Sequence, residues 1–212
     1  MQSHEQFVIV SVMTGGNEQI RAAYNAAALP YREKYDRIPP RADAVDATLA
    51  YCEVKNPNVL EIGCAYGREA AYILTKTDRY TGIDISDEYI KMAQTELPHG
   101  TFVRADVLEY DFPTELDVIF AFASLLHLDR EQLRVVFEKA HTALNENGVL
   151  FLSLKRKDEY GLEVETDEYG TRTFYFYNAR LIQEIAAGLF VSLESDEQDR
   201  EVAWFTIILR KV

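Results

Sequence analysis

A glycine turn followed by a spaced carboxylate is the part of the sequence best suited to bind a ligand. Residues 59–67 read VLEIGCAYG, so Gly63 and Gly67 lie between a strand-like apolar run and a stretch with helical spacing. Backbone N–H groups and the helix dipole face the ligand at such a turn, and a Cβ there would block close approach of a cofactor. Asp84 ends the next apolar run about 20 residues later, where a carboxylate can accept both hydroxyls of a ribose. The spacing predicts a nucleotide-type cofactor.

The charge at the loop distinguishes two possible cofactors. The NAD fingerprint G-x-G-x-x-G is absent from residues 63–67. Glu61 stands at the loop entrance, where a carboxylate beside a pyrophosphate would be electrostatically costly. S-adenosylmethionine carries an ammonium and a sulfonium and has no phosphate, so an acidic residue suits it. We therefore expect S-adenosylmethionine.

Further cofactor contacts are expected at the ends of the second and third strands. Ile85 follows the ribose-binding carboxylate directly. After the third apolar run, Asp106 is placed to accept the adenine amino group and Val107 to lie beside the ring. The alternative for Asp106 is a turn-forming role, which is common for Asp after a strand.

Strand-like runs and helical stretches alternate from residue 57 onward. The strands are predicted at 58–62, 80–84, 101–104, 117–121 and 149–154, with helices at 68–77, 86–97, 129–144 and 178–187. Two final strands, 190–194 and 202–209, are joined by a short link and must be antiparallel neighbours. The alternation predicts a doubly wound α/β domain.

The domain organisation follows from the segments outside this alternation. Residues 1–16 are expected to form a flexible tail, and residues 17–56 a helical cap on a core of residues 57–212. Within the cap, helices at 17–28 and 41–52 are expected to be separated by Pro30 and the Pro39-Pro40 pair. A hairpin is predicted within residues 163–177, around Tyr169-Gly170.

The loop residues Glu61, Gly63, Ala65 and Gly67 resemble the acidic-x-Gly-x-Gly-x-Gly loop of class I S-adenosylmethionine-dependent methyltransferases, with Ala65 in place of the middle glycine. The resemblance extends over about residues 20 to 212 and includes Asp84, Asp106, the segment 121–128 and the antiparallel ending. It implies a Rossmann-like sheet of seven strands in the order 3-2-1-4-5-7-6, with strand 7 antiparallel.

The N-terminal cap is also similar to that family. Many members begin with a Tyr-Asp…Ala…Tyr pattern that folds over the cofactor, and this chain has Tyr24, Asn25, Ala28 and Tyr31 at the corresponding positions. The resemblance implies that Tyr24 and Tyr31 contact S-adenosylmethionine. The alternative is that both rings only pack the helix.

Three residues are candidates for the acceptor side of the site. His127 follows the fourth strand, and an imidazole with a pKa near 6.5 suits a general base that deprotonates a hydroxyl or amine. The alternative is that it caps or packs the following helix. Tyr175 and Tyr177 in the hairpin could line a substrate pocket, or the hairpin covers the sheet edge or makes a dimer contact.

Composition limits the partners. Lys and Arg number 22 against 35 Asp and Glu, which gives a formal net charge of −13. Such a field repels nucleic acid and anionic membrane surfaces, so neither is an expected partner. The two cysteines, Cys52 and Cys64, are too few for a disulfide scaffold or a metal cluster, so a cytoplasmic protein without a metal site is expected.

These observations predict methyl transfer from S-adenosylmethionine to a small-molecule acceptor by a monomer or homodimer. Two alternatives stay open: a protein or peptide methyltransferase that acts on basic peptides, and a non-catalytic cofactor-binding interaction module. A nucleic-acid amino-methyltransferase is disfavoured because residues 121–124 read AFAS instead of Asp/Asn-Pro-Pro-aromatic.

Overall fold

The computed structural model describes residues 5–198 and 202–212, with side chains from residue 16 onward. Within these ranges the strands are, in chain order, β1 Val59–Ile62, β2 Tyr80–Asp84, β3 Thr101–Arg104, β4 Leu116–Phe122, β5 Leu144–Lys155, β6 Gly161–Asp167, β7 Gly170–Phe176, β8 Phe190–Gln198 and β9 Trp204–Lys211. The helices are α1 Glu5–Tyr35, α2 Ala42–Leu49, α3 Arg68–Ile73, α4 Asp87–Glu96, α5 Arg130–Ala143 and α6 Ala179–Ala186, and a short 3₁₀ helix spans Leu125–His127.

Seven of the strands form one sheet in the order β3-β2-β1-β4-β5-β9-β8. The first five are parallel, and β9 pairs antiparallel with both β5 and β8. The strand order and the antiparallel last strand that the family resemblance implied are confirmed. The predicted hairpin is a separate two-stranded sheet of β6 and β7, paired from Gly161–Phe176 to Asp167–Gly170.

The sheet is covered on both faces, which explains its continuous apolar strands. All seven residues of β4 are buried. Ile119 and Ala121 belong to the hydrophobic cluster that includes α5 and α6, whereas Phe120 and Phe122 belong to the cluster of α2, α3 and α4. Alternate residues of one strand therefore serve opposite layers, as in other parallel sheets with helices on both faces.

Side-chain caps begin three helices where the sequence indicates. Ser86 Oγ accepts the Tyr89 N–H at the start of α4, and Asp129 forms a capping box with Gln132 at the start of α5. Asn178 accepts the Leu181 N–H at the start of α6. Such caps satisfy N–H groups that have no partner within the helix.

The first helix differs from the prediction. It continues through Pro30 to Tyr35, so the prediction that Pro30 separates two helices is wrong. Tyr31 packs edge-on against both Tyr24 and Tyr35, with ring centroids 6.4 and 5.9 Å apart, and this row of aromatic contacts spans the proline. These contacts lie within α1, and Tyr31 also packs edge-on against Tyr169 of the hairpin, with centroids 5.7 Å apart. Packing within and beyond the helix thus offsets the helix-breaking tendency of proline.

The predicted flexible tail falls partly on residues that the structure does not describe. Residues 1–4 lie outside the described residues, and α1 begins at Glu5. Flexibility of residues 1–16 and the division into cap and core therefore stay predictions. Within the described ranges, no helix combines the length and the apolar character needed to cross a bilayer.

Tyr177 lies in the core, which corrects its predicted place in a substrate pocket. Its side chain is fully buried, and its hydroxyl donates to the Leu128 carbonyl at 2.7 Å. Tyr175 is half-buried and stacks on Tyr160, with centroids 6.2 Å apart.

We expect Tyr177→Phe to lower the free energy of unfolding by about 1–2 kcal/mol, because the buried Leu128 carbonyl loses its donor. Thermal unfolding should show a decrease of about 2–8 °C in Tm. Tyr175→Phe is the matched control and should change Tm by less. Equal effects of the two changes would contradict the assignment of Tyr177 to the core.

Candidate active site

The predicted cofactor residues converge at the carboxyl edge of the parallel strands. The loop 63–67 follows β1, Asp84 ends β2, and Asp106 lies just beyond β3. β1 lies between β2 and β4, and the chain runs from β1 through β2 to β3 on one side before it crosses back to β4 on the other. Ligands of doubly wound sheets bind in the crevice at such a switch point.

Gly63 is required by a protein contact. Its φ is +75°, and a Cβ built on it would lie 2.2 Å from the Ser124 Cβ. Ser124 is held there because its Oγ donates to the Ile62 carbonyl at 2.6 Å. We expected that a Cβ at Gly63 would block the cofactor. The structure shows that this Cβ would already collide with Ser124, just after β4.

The other two loop positions also adopt left-handed backbone. Gly67 has φ +94° and caps α3, while Ala65 has φ 47° despite its Cβ. The Ala65 N–H donates to Asp84 Oδ2 at 2.9 Å. This hydrogen bond stabilises the left-handed conformation of Ala65, which stands where the loop pattern that it resembles has a glycine.

Asp84 connects the loop to the start of α4. Its second oxygen, Oδ1, accepts the Ser86 N–H at 2.8 Å, and the Ile85 N–H also interacts with the carboxylate. Burial raises the pKa of Asp84 from 3.8 to about 6, although these N–H donors oppose the shift. Folding therefore favours the protonated form of Asp84. The stability that this protonation contributes is fully present below pH 3.8 and is lost as the pH rises through 6.

Glu61 does not face the crevice as predicted. It is 1% exposed, and its Oε2 accepts the Tyr80 hydroxyl at 2.5 Å. Burial raises the pKa of Glu61 well above its ordinary value. The residue thus lies beneath the loop as a buried hydrogen-bond acceptor, which argues against direct contact with a cationic ligand. Every side chain of β1 is buried because helices cover both faces of the strand.

Asp106 lies just after β3, as predicted, and it also forms the turn that was considered as its alternative role. Oδ1 accepts the Leu108 N–H at 2.9 Å, and Oδ2 accepts Asn17 Nδ2 from α1 at 2.6 Å. Val107 is half-buried, and its carbonyl accepts Lys139 Nζ at 2.9 Å.

Helix α1 covers the loop, as the Tyr24-Asn25…Ala28…Tyr31 pattern implies. Asn25 Oδ1 accepts the Ser86 hydroxyl at 2.7 Å. Tyr66 and Tyr89 pack with Ala28, and Tyr24, Tyr31 and Ala65 border the same cluster. The Asn25, Tyr66 and Tyr89 contacts were not predicted, since no spacing rule relates a helix before β1 to the residues after it.

His127 has both ring nitrogens engaged. A carbonyl can only accept, so Nδ1–H donates to the Thr173 oxygen at 2.6 Å, and Nε2 accepts the Tyr24 hydroxyl at 2.7 Å. Burial lowers the pKa of His127 from 6.5 to about 4. These contacts argue against a general base, because the basic nitrogen is occupied and weakly basic.

Arg172 on β7 is the main residue that sequence reasoning missed. It is 4% exposed, donates to the Tyr31 hydroxyl and pairs with Asp167. Its guanidinium lies 5.7 Å from the Tyr24 centroid and 5.5 Å from that of Tyr31. Nothing in the sequence of the hairpin indicates that a basic residue such as Arg172 is buried.

The side chains present fit S-adenosylmethionine. Asp84 and Asp106 end adjacent strands and retain lone pairs for hydroxyl and amino donors. A cavity of about 200 Å³ beside the loop is lined by Tyr66, Gly67 and Arg68. The Tyr66 hydroxyl is buried, and it interacts with the Asp36 carboxylate, which lines the same cavity.

The fold and this edge define a class of α/β proteins that bind a nucleoside-containing cofactor. Residues 59–148 match the methyltransferase domain family. Trans-aconitate 2-methyltransferase from Escherichia coli O7:K1 (strain IAI39 / ExPEC) is 36% identical over 99 residues, which are 45% of this chain and 38% of that protein. The match thus spans well under half the length of this curated relative.

Two solved structures share the fold. One is the Burkholderia thailandensis 1,6-didemethyltoxoflavin-N1-methyltransferase with bound 1,6-didemethyltoxoflavin and S-adenosylhomocysteine, with a TM-score of 0.72, 20% identity, and coverage of 92% of this chain and 88% of that one. The other is the magnesium protoporphyrin IX methyltransferase from Synechocystis PCC 6803 with bound S-adenosylmethionine, with a TM-score of 0.70, 16% identity, and coverage of 92% and 97%. The family match is thus confined to residues 59–148, and the likeness to these two structures shows the fold of the wider chain. The first of these structures holds S-adenosylhomocysteine and the second holds S-adenosylmethionine.

We expect Gly63→Ala to lower the free energy of unfolding by at least about 2 kcal/mol, because a positive φ and overlap with Ser124 combine. Chemical denaturation measures the change. Gly161→Ala is the control, since a Cβ there meets nothing within 4 Å, and it should have little effect. A stable Gly63→Ala variant would show that the Ser124 contact is not the constraint.

Proposed function

We propose that this protein transfers the methyl group of S-adenosylmethionine to a small-molecule acceptor. The observation that carries the proposal is the Asp84 carboxylate at the switch point, hydrogen-bonded to the loop at Ala65 and to the start of α4 at Ser86. The names of the trans-aconitate and toxoflavin methyltransferases support a small acceptor.

We assign the binding roles by position. Asp84 would accept the ribose hydroxyls, and Asp106 with Val107 would hold the adenine. When bound, S-adenosylmethionine supplies an electrophilic methyl group whose sulfonium is a good leaving group. The chain then has to orient the acceptor and exclude water, which can lower a barrier without a dedicated acid or base.

The cover over the site favours a small acceptor over a polymer. α1 lies over the loop, and the β6–β7 hairpin is joined to α1 because Arg172 donates to the Tyr31 hydroxyl. Gly170 in the hairpin also approaches Ala23 of α1, since a Cβ there would lie 3.2 Å from the Ala23 Cβ. Two covering segments in mutual contact suit a ligand that can be enclosed.

His127 is proposed as a positioning residue in this site. Its Nδ1–H bond to Thr173 connects it to the hairpin, and its Nε2 orients the Tyr24 hydroxyl of α1. The ring also packs on Phe174, with centroids 4.8 Å apart. The residue therefore joins the two covering segments.

Calorimetric titration at pH 7 should show binding of S-adenosylmethionine and not of NAD. Asp84→Asn should weaken S-adenosylmethionine binding at least tenfold, because a charge-assisted acceptor is lost. The control is Asp78→Asn, an exposed carboxylate beside the amino end of β2, which should bind normally. Near-normal affinity of Asp84→Asn would overturn the proposed site.

The same titration should depend on pH. Because the pKa of Asp84 is about 6, its ionised fraction falls as pH decreases from 7 to 5, and affinity should fall with it. Asp84→Asn should lose this dependence. An equal pH dependence in both proteins would assign it to another group.

Proton NMR titration should give His127 a pKa near 4, with its signal identified by its absence in His127→Gln. The lowered pKa means that His127 stabilises the fold above pH 6.5 and that this contribution is lost as pH falls toward 4. A pKa of 6 to 7 would restore the general-base hypothesis.

A further inference from the structure

Two cations gather around one aromatic ring on the inner side of the hairpin. Lys155 Nζ, at the carboxyl end of β5, lies 3.6 Å from the centroid of Phe174. The guanidinium of Arg172 lies 5.9 Å from the same centroid. Their side chains are only 13% and 4% exposed. The chain has a net charge of −13, so a place where two poorly exposed cations meet at one ring differs from the rest of it.

Arg172 has an unused donor. Its Nη1 donates to the Tyr31 hydroxyl and its Nη2 pairs with Asp167, but its buried Nε–H has no hydrogen-bond partner in the described part of the chain. Buried N–H groups are rarely left unpaired. In a guanidinium, Nε and Nη2 form one edge that fits both oxygens of a carboxylate, so half of this edge is free.

The partners of both cations can be exchanged. Asp167 and Glu165 pair with Arg172 and Lys155, and their side chains are 37% and 47% exposed. Both carboxylates lie on β6, whose side chains are mostly exposed. Ion pairs with a solvent-exposed member contribute little to stability, so a ligand carboxylate can replace them at low cost.

Arg172 also lies close to the cofactor residues. Its guanidinium is next to the Tyr24 ring, and Tyr24 packs against Tyr89, with centroids 6.3 Å apart. Tyr89 is the residue whose N–H is capped by Ser86, two positions after Asp84. Two tyrosine rings, Tyr24 and Tyr89, therefore connect the guanidinium with the start of α4 beside Asp84.

We propose that the methyl acceptor bears a carboxylate, and that this carboxylate replaces Asp167 on the Nε–Nη2 edge of Arg172, with Lys155 as a second binding cation. The inference rests on the proposed function and specifies its substrate class. The competing explanation is that Arg172 only holds the hairpin on α1.

Fluorescence of Trp204 provides a binding signal that does not depend on activity. It is the single tryptophan of the chain, and it is the β9 partner of Lys155 in the sheet. The protein is saturated with S-adenosylhomocysteine, with saturation verified by calorimetry. It is then titrated with benzoate, succinate and tricarballylate, and with the neutral methyl ester of each.

At least one carboxylate should bind better than its ester. Arg172→Gln should weaken that binding at least tenfold when the variant, like the parent protein, is first saturated with S-adenosylhomocysteine. Asp167→Asn should tighten it severalfold, because the competing carboxylate is removed; a merely structural Arg172 predicts no gain. Arg180→Gln, which removes an exposed cation paired with Glu184, is the control and should bind normally.

Three results would overturn the inference. The first is equal binding of acids and esters or no binding of any acid, and the second is undiminished binding by Arg172→Gln. The third is unchanged or weaker binding by Asp167→Asn. Absence of S-adenosylhomocysteine binding in the first step would instead overturn the proposed function, and this inference with it.

Discussion

The hydrogen bond from the Ala65 N–H to the Asp84 carboxylate is the interaction on which the site depends. It joins the loop after β1 to the end of β2, and the second carboxylate oxygen holds the start of α4 through Ser86. Because Ser86 also bonds Asn25, the same point fixes α1 over the loop. One half-buried carboxylate thereby sets the relative position of three segments that converge on the proposed cofactor edge.

The cover depends on a second set of polar contacts between distant segments. Tyr24 of α1 meets His127 after β4, and Tyr31 of α1 meets Arg172 of the hairpin. These groups are enclosed by aromatic rings, where hydrogen bonds are strong and unpaired donors are costly. The proposed acceptor side is consequently built from α1, β7 and the 3₁₀ helix, whereas the proposed cofactor side is built from strand ends.

The charge of Glu61 was the reason to expect S-adenosylmethionine. The cofactor is supported, but Glu61 does not lie where that reasoning placed it. We expected Glu61 to face the ligand, but Glu61 is buried beneath the loop and bonded to Tyr80. The loop pattern and the spacing to Asp84 carry the assignment instead. His127 was selected by its position after β4, and its partners leave its nitrogens unavailable.

The family resemblance implied the strand order. The sequence by itself determined the order of elements, the antiparallel pairing of the last two strands and the carboxylates at Asp84 and Asp106. These features follow from apolar alternation and short-range spacing, which act within one βα unit. Only the tertiary structure decided that Ser124 requires Gly63, that α1 continues through Pro30, and that Arg172 is buried. Each of these depends on neighbours many residues away, and both the burial of a side chain and the pKa of a group such as His127 are set by such neighbours.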